Sequence, residues 1–209
     1  MYKELKQTIY RLLVPFIKFG KYIQWLIYLR THSTILLNVG AGTAKFKKWF
    51  ATDIDTLDIT KESDFKKYFN GKKINKILAE HVLEHLTNDN LKKMAQNFFT
   101  FSSDNVNIRI AVPDGFHTDK EYIERVKPGG TGVGANEHKN LFNYKSLTAL
   151  FEKFGFKPKL MEYWDEDGIF HSFYTNDDNG FIERSSLNDD RNKDRKPNYT
   201  SLIIDFSKK

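Results

Sequence analysis

The chain has 209 residues, 33 Lys and Arg against 27 Asp and Glu, no cysteine, 40% apolar residues and a formal net charge of +6. That length suits one domain with room for an appendage, able to hide roughly 70% of its unfolded surface without a disulfide or metal staple. The lack of cysteine excludes disulfide frameworks, thiolate-ligated zinc, iron–sulfur clusters and thiol nucleophiles, and agrees with a reducing, cytoplasmic setting.

Residues 1–30 carry six bases (Lys3, Lys6, Arg11, Lys18, Lys21, Arg30) and one acid (Glu4), leaving the other 179 residues with a net charge of only +1. A nearly neutral body argues against nucleic acid as a partner, because such folds carry their basic surface on the body. The arm interleaves aromatic and aliphatic residues with its bases. Lys18, Lys21 and Gln24 cut the apolar run below the length of a spanning helix, and no small-residue cleavage site follows, against a secretory signal. Pro15 is expected to break or kink a helix there, and Gly20 to weaken it. Two readings stay open for this basic amphipathic arm. It is a flap over a ligand, or it lies on the anionic inner face of a membrane as a peripheral contact.

From Thr34 the texture changes to short apolar runs separated by amphipathic stretches. Residues 34–39 (TILLNV) read as a buried strand ending at Gly40-Ala41-Gly42, and 49–54 (WFATDI) as a second strand ending in acids. Asp58 follows a short third strand. Residues 73–81 (KINKILAEH) form another strand, and the spacing of Leu83, Leu86, Leu91, Met94 and Phe98 predicts one helix over 82–101. Residues 107–112 (NIRIAV) are a strand stopped by Pro113-Asp114-Gly115. Short helices are predicted over 119–125 and 146–154, the latter stopped at Gly155, with the loop VKPGGTGVGANEHKN between them. KPKLMEYWD and YTSLIIDFS are two late strands forming an antiparallel edge pair. Alternating strands and helices predict an α/β, Rossmann-like, mainly parallel sheet with helices on both faces. The expected organisation is an arm over 1–30 and one domain over 31–209.

Chemistry is expected beyond the carboxyl ends of the strands. Gly40 and Gly42 let backbone approach a ligand closely, and Asp53 at the end of the next strand is placed to accept hydrogen bonds from a ribose diol. Lys45 stands where a dinucleotide site needs its third glycine, and Gly42 and Asp53 are only 11 residues apart, about half the spacing of a dinucleotide fingerprint. A ligand without a pyrophosphate fits better.

The runs LLNVGAGTAKFKKWFATDI, AEHVLEHL, IRIAVPDGFH, KPGG and YTSLIIDFSKK, in this order over residues 34–209, resemble the class I S-adenosylmethionine-dependent methyltransferases. They resemble more closely a bacterial and phage group often encoded among surface-polysaccharide genes. The resemblance implies a seven-stranded sheet with an edge hairpin and S-adenosyl-L-methionine as cofactor. Gly40, Ala41 and Gly42 would line its methionine moiety, Asp53 its ribose, and Asp58 and Ile59 its adenine, with Glu80 and His81 closing the pocket. Ala41 replaces a common cysteine, and KPGG follows the fifth strand instead of preceding it, so no role is carried to it. The implied reaction is O-methylation of a small or glycan-like acceptor, such as a nucleotide-linked or lipid-linked sugar. A non-catalytic nucleotide-binding or assembly protein is the alternative, and NAD-dependent oxidoreduction suffers from the missing glycine.

An alcohol acceptor needs its proton removed, for which His81, Asp114, His117 and His138 are the candidates. Residues 81–85 also satisfy HxxEH, a zinc-peptidase pattern. His81 sits at a strand-to-helix junction, where a shared helical face for His81 and His85 is not expected, so no metal is assigned. Trp164, Phe170 and Phe173 could line a sugar site or a crevice wall. The DDNG run lacks the twelfth-position glutamate of a calcium loop, and RNKDRK reads as a solvated turn.

Overall fold

The computed structural model describes residues 2–192, 194 and 196–209, residues 2–11 through their backbone alone. The side chains of Lys3, Lys6 and Arg11 and all of Lys193 and Arg195 therefore lie outside the described residues. The basic arm is one helix, α1 (Tyr2–Thr31), unbroken through Pro15 and Gly20. The helix continues through Pro15, which is exposed, a position where the backbone carbonyl left without its N–H partner can be solvated. The stretch Leu12–Thr31 is also long and apolar enough, by length and composition, to cross a membrane, which corrects the expectation that its bases leave too short a run.

The second half of α1 belongs to the core. Trp25 is fully buried, its ring 4.7 Å from that of Phe50 and 5.1 Å from that of Phe69, and its Nε1 donates to the Tyr68 carbonyl. The Tyr28 hydroxyl accepts from the Leu36 amide at 2.9 Å and donates to the Lys48 carbonyl at 2.9 Å. The core thus begins before residue 31.

Seven strands form one mixed sheet: β1 (Leu36–Val39), β2 (Phe50–Ala51), β3 (Ile74–Glu80), β4 (Ser102–Pro113), β5 (Phe156–Trp164), β6 (Phe170–Ser172) and β7 (Ser201–Lys208), in the order β2-β1-β3-β4-β7-β5-β6. The pairs β2–β1, β1–β3 and β3–β4 are parallel; β4–β7, β7–β5 and β5–β6 are antiparallel. The sheet is therefore parallel in one half only. The strand expected before Asp58 does not form, and β6 makes the count seven. Of the two late strands, β7 lies inside the sheet, and the edge hairpin is β5–β6.

Residues on β3, β4 and β7 alternate between two cores, as the pleat requires. Ile77, Ile108, Ile110 and Leu202 share one cluster with α1 and with α2 (Glu62–Phe69), α3 (Asn88–Phe101) and α5 (Tyr144–Glu152). Leu78, Ala111 and Ile203 face the other way, onto Met161, Tyr174 and Ile182. That face is closed by an irregular segment and not by the expected second layer of helices.

Arg109 pins this segment. Its fully buried guanidinium donates to both carboxylate oxygens of Asp205 (2.7 and 2.8 Å), to Asp177 (2.7 and 3.2 Å) and to the Gly180 carbonyl (2.8 Å). Burial opposes its charge, but the two carboxylates outweigh it and raise its pKa. The Asp177-Asp178-Asn179-Gly180 turn thus serves an arginine.

The predicted 82–101 helix is interrupted. His81 takes a positive φ of 53°, a 3-10 turn spans Leu83–His85, and α3 starts anew with Thr87 accepting the Asn90 amide. That cap satisfies an N–H which a continuous helix would have bonded internally.

Candidate functional site

The chain leaves β1 for β2 on one side and returns through β3 on the other, so the sheet order reverses beside β1, where an open α/β fold presents its crevice. A cleft of about 690 Å³ lies there. Gly40, Ala41 and Gly42 from the β1 loop and Glu80 and His81 from the end of β3 line it. Gly40 is at φ +59°, and a Cβ on it would overlap the Cγ2 methyl of Val82 and stand 3.1 Å from Cγ1. The glycine is thus what lets the two loops pass each other. At Gly42 (φ +52°) a Cβ would meet nothing within 4 Å, leaving room beside the backbone for a ligand.

Asp53 follows β2 and is exposed. Its Oδ2 accepts the Gly42 amide at 3.2 Å and its Oδ1 the Ile54 amide at 2.7 Å. It holds the glycine loop to the neighbouring strand, and each oxygen keeps a further lone pair. Glu80 accepts the amides of Glu183 (3.1 Å) and Arg184 (2.8 Å), fastening the irregular segment across the cleft.

His81 is engaged at both nitrogens. Nε2 is 3.0 Å from Ser201 Oγ, and Nδ1 stands 3.2 Å from Glu84 Oε1, an ion-pair separation without hydrogen-bond alignment. Ser201, His81 and Glu84 stand in series, yet Ser201 is fully buried and does not line the cleft, so it is no nucleophile. The Glu84 carboxyl is itself fully buried. Burial would raise its pKa, but His81 and then His85 outweigh that and hold it below the ordinary range.

The opposite wall comes from the loop after α4 (Lys120–Val126) and from the irregular segment. Gly132, Ala135 and His138 line the cleft, which places the glycine-rich loop at the site. Thr131 and Gly132 donate to the Glu124 and Arg125 carbonyls at 3.0 and 2.9 Å, and a Cβ on Gly130 would lie 2.6 Å from the Glu124 carbonyl. The loop hugs its helix too closely for larger residues. Arg125, Arg184, Arg191 and Tyr199 complete the wall, the Arg191 guanidinium 3.2 Å from the Tyr199 ring centroid. Sequence reasoning missed these arginines, and the RNKDRK run reaches the cleft through Arg191.

Five predicted residues stand outside the lining of the cleft, Asp53 among them although it bonds the Gly42 amide. Asp114 is fully buried; its oxygens accept the amides of Trp164 (2.8 Å) and Phe116 (2.9 Å), and burial lifts its pKa to about 6. His117 stacks on Tyr122 at 3.9 Å, its Nδ1 accepting from the Asp119 amide and its Nε2 donating to the Pro197 carbonyl. Burial lowers its pKa. Neither residue lines the cleft, because both serve the turn after β4. Asp58 spends Oδ1 on the Thr60 amide and hydroxyl and pairs Oδ2 with Lys61, while Ile59 is buried in the core with its carbonyl held by Asn97. They too stand outside the lining, as do Trp164, Phe170 and Phe173. Among the described residues, none of α1 lines the cleft.

A glycine loop after the first strand, an acid after the second and a cleft at the switch point define the class of nucleoside-type cofactor enzymes built on a Rossmann-like sheet. The methyltransferase domain family matches residues 18–159, more than half of the chain, and the protein belongs to that family. No curated protein matches it in sequence. In structure it is similar to a SAM-dependent methyltransferase from Archaeoglobus fulgidus, at 15% identity over 100% of both chains with a TM-score of 0.49. It is also similar to a TehB-like SAM-dependent methyltransferase from Corynebacterium glutamicum, at 10% identity, TM-score 0.45, over 100% of this chain and 98% of that one. LepI in complex with SAM is matched at 9% identity, TM-score 0.47, over 90% of this chain and 40% of LepI. The protein is an S-adenosylmethionine-dependent methyltransferase.

Proposed function

We propose that this methyltransferase O-methylates a sugar carried on a phosphate, in nucleotide-linked or lipid-linked form, within surface-polysaccharide synthesis. The observation that carries the reading is the basic wall. Arg125, Arg184 and Arg191 line the same cleft as the Gly40–Gly42 loop, each beside a carboxylate (Glu121 at 3.5 Å, Glu80 at 3.7 Å and Asp189 at 2.6 Å), and guanidinium groups, with five donors each, are the side chains best suited to phosphate.

The residues present fit the cofactor: the space beside Gly42 is open, and Asp53 keeps lone pairs for ribose hydroxyls. Gly40, Ala41 and Gly42 would hold the methionine moiety. S-adenosylmethionine, when bound, supplies a methyl group on a positively charged sulfur. The chain's task is then to align an acceptor, exclude water and take a proton. His81 has both ring nitrogens engaged, by Ser201 and Glu84, and so holds the end of β3 in place instead of taking that proton. We further propose that α1 attaches the protein to the cytoplasmic face of a membrane, where lipid-linked sugars reside. Leu12, Phe16 and Phe19 are exposed beside Lys18.

Mass spectrometry of nucleotide-sugar and lipid-linked glycan pools tests the reading, comparing cells with and without the protein. A species heavier by one methylene unit, lost in Gly42→Trp, which fills the space beside the glycine loop, is expected in one pool. Turnover confined to acceptors that carry no phosphate would contradict it. Arg184→Gln should raise KM for the acceptor roughly tenfold or more, the scale of a lost charge-assisted hydrogen bond.

A further inference from the structure

Glu84 sits in the 3-10 turn after β3, fully buried at the cleft, and neither carboxylate oxygen makes a hydrogen bond among the described residues. A buried carboxylate is strongly disfavoured unless a cation faces it. His81 reaches only Oε1, at 3.2 Å, which leaves the second oxygen without a hydrogen bond.

Two more imidazoles converge on the same point. His85 follows Glu84 in the turn, and His138 arrives from the glycine-rich loop with its ring centroid 4.7 Å from that of His85. One ligand atom from each of Glu84, His85 and His138 lies within 4.8 Å of the others. The Nδ1 of His138 is 2.6 Å from the Val126 carbonyl. A carbonyl can only accept, so Nδ1 carries the proton and Nε2 is left with a bare lone pair, the state in which histidine binds a metal. The two segments are clamped together. The Lys139 and Asn140 amides donate to the Glu84 carbonyl at 2.7 and 3.1 Å, and Asn140 Nδ2 donates to the Leu86 carbonyl at 2.6 Å.

We propose that Glu84, His85 and His138 form a site for a divalent first-row transition-metal ion in the methyltransferase cleft. Two imidazoles and one carboxylate suit zinc, manganese, iron or cobalt, whereas calcium and magnesium require shells of oxygen. Three protein ligands leave coordination positions open. All three residues line the cleft, so an acceptor oxygen can complete the shell, where the ion's charge favours the ionised form of a bound hydroxyl. This role rests on the methyltransferase reading; the existence of the site does not.

The test titrates untagged, chelator-treated full-length protein with Co²⁺, followed by visible absorption and calorimetry. S-adenosylhomocysteine binding is measured on the same samples. The site predicts one equivalent of Co²⁺ with d–d absorption bands, displaced by Zn²⁺. Affinity should fall roughly tenfold or more in His138→Gln and in Glu84→Gln. It should be unchanged in His171→Gln, whose ring bonds Asp165 away from the cleft. His138 is only partly buried, so its variant keeps the test valid if Glu84→Gln fails to fold. No saturable binding, or equal affinity in His138→Gln, overturns the site. Metal binding without S-adenosylhomocysteine binding would count against the cofactor assignment and leave the site standing; the reverse pattern removes the site alone.

Discussion

Gly40→Ala is the most informative single substitution in the cofactor loop. At φ +59° an L-residue costs about 1–2 kcal/mol. The new methyl would also overlap Val82 Cγ2, and forcing an extra carbon into packed surroundings costs about 1–3 kcal/mol. Together these amount to about 2–5 kcal/mol, a large part of the about 5–15 kcal/mol that separates folded from unfolded chains. The steric part has one identified partner. In Gly40→Ala/Val82→Ala both offending methyls are gone, so the double variant should recover about 1–3 kcal/mol relative to the sum of the single effects. Urea unfolding of the four proteins measures that coupling, and S-adenosylhomocysteine calorimetry shows whether affinity follows it. Additive effects would refute the claim that Gly40 is required by the passage of Val82.

Three further outcomes are expected. Arg109→Met should cost about 3–5 kcal/mol by stranding Asp205, which is 5% exposed; Arg109→Met/Asp205→Leu should be more stable than the single variant by urea unfolding, and equal or worse loss would refute the pin. Burial raises the Glu162 pKa from 4.5 to about 7 and the Asp114 pKa from 3.8 to about 6. The folded state then binds more protons than the unfolded one across that window, so stability should fall as pH rises from about 4.5 to 7, and Glu162→Gln should flatten the slope. Below that window the sign reverses, because Asp177 and Asp189, lowered by their arginine partners against the opposing effect of burial, lose their contribution as pH falls. Finally, Phe16→Gln/Phe19→Gln should reduce sedimentation with anionic vesicles at least severalfold while thermal stability stays unchanged, since both rings are exposed; equal sedimentation would refute membrane attachment. Deleting residues 1–30 would remove Trp25 from the core and test folding instead.

What was legible in the sequence is what depends on near neighbours. The strand before Gly40, the glycines and Asp53 could be read because a tight turn and a following acid are local requirements, and the structure joins Gly42 to Asp53 directly. The 82–101 stretch misled because its apolar spacing continues across Thr87, where a cap restarts the helix. Asp114 and His117 carry the right chemical groups, but burial and hydrogen bonds to the turn after β4 commit them to structure, and no spacing reveals that. Arg109 meets Asp177 and Asp205, 68 and 96 residues away, and His138 meets Glu84 only through the fold. The HxxEH pattern is set aside because His81 and His85 are not expected to share a face, and nothing local shows that His138 comes to stand beside His85.

The most direct test of the central claim is a crystal structure of the protein with S-adenosylhomocysteine. The account predicts the homocysteine tail against Gly40–Gly42 and the ribose diol on Asp53. A ligand held instead by Arg184 and Arg191, with the glycine loop and Asp53 uncontacted, would contradict it.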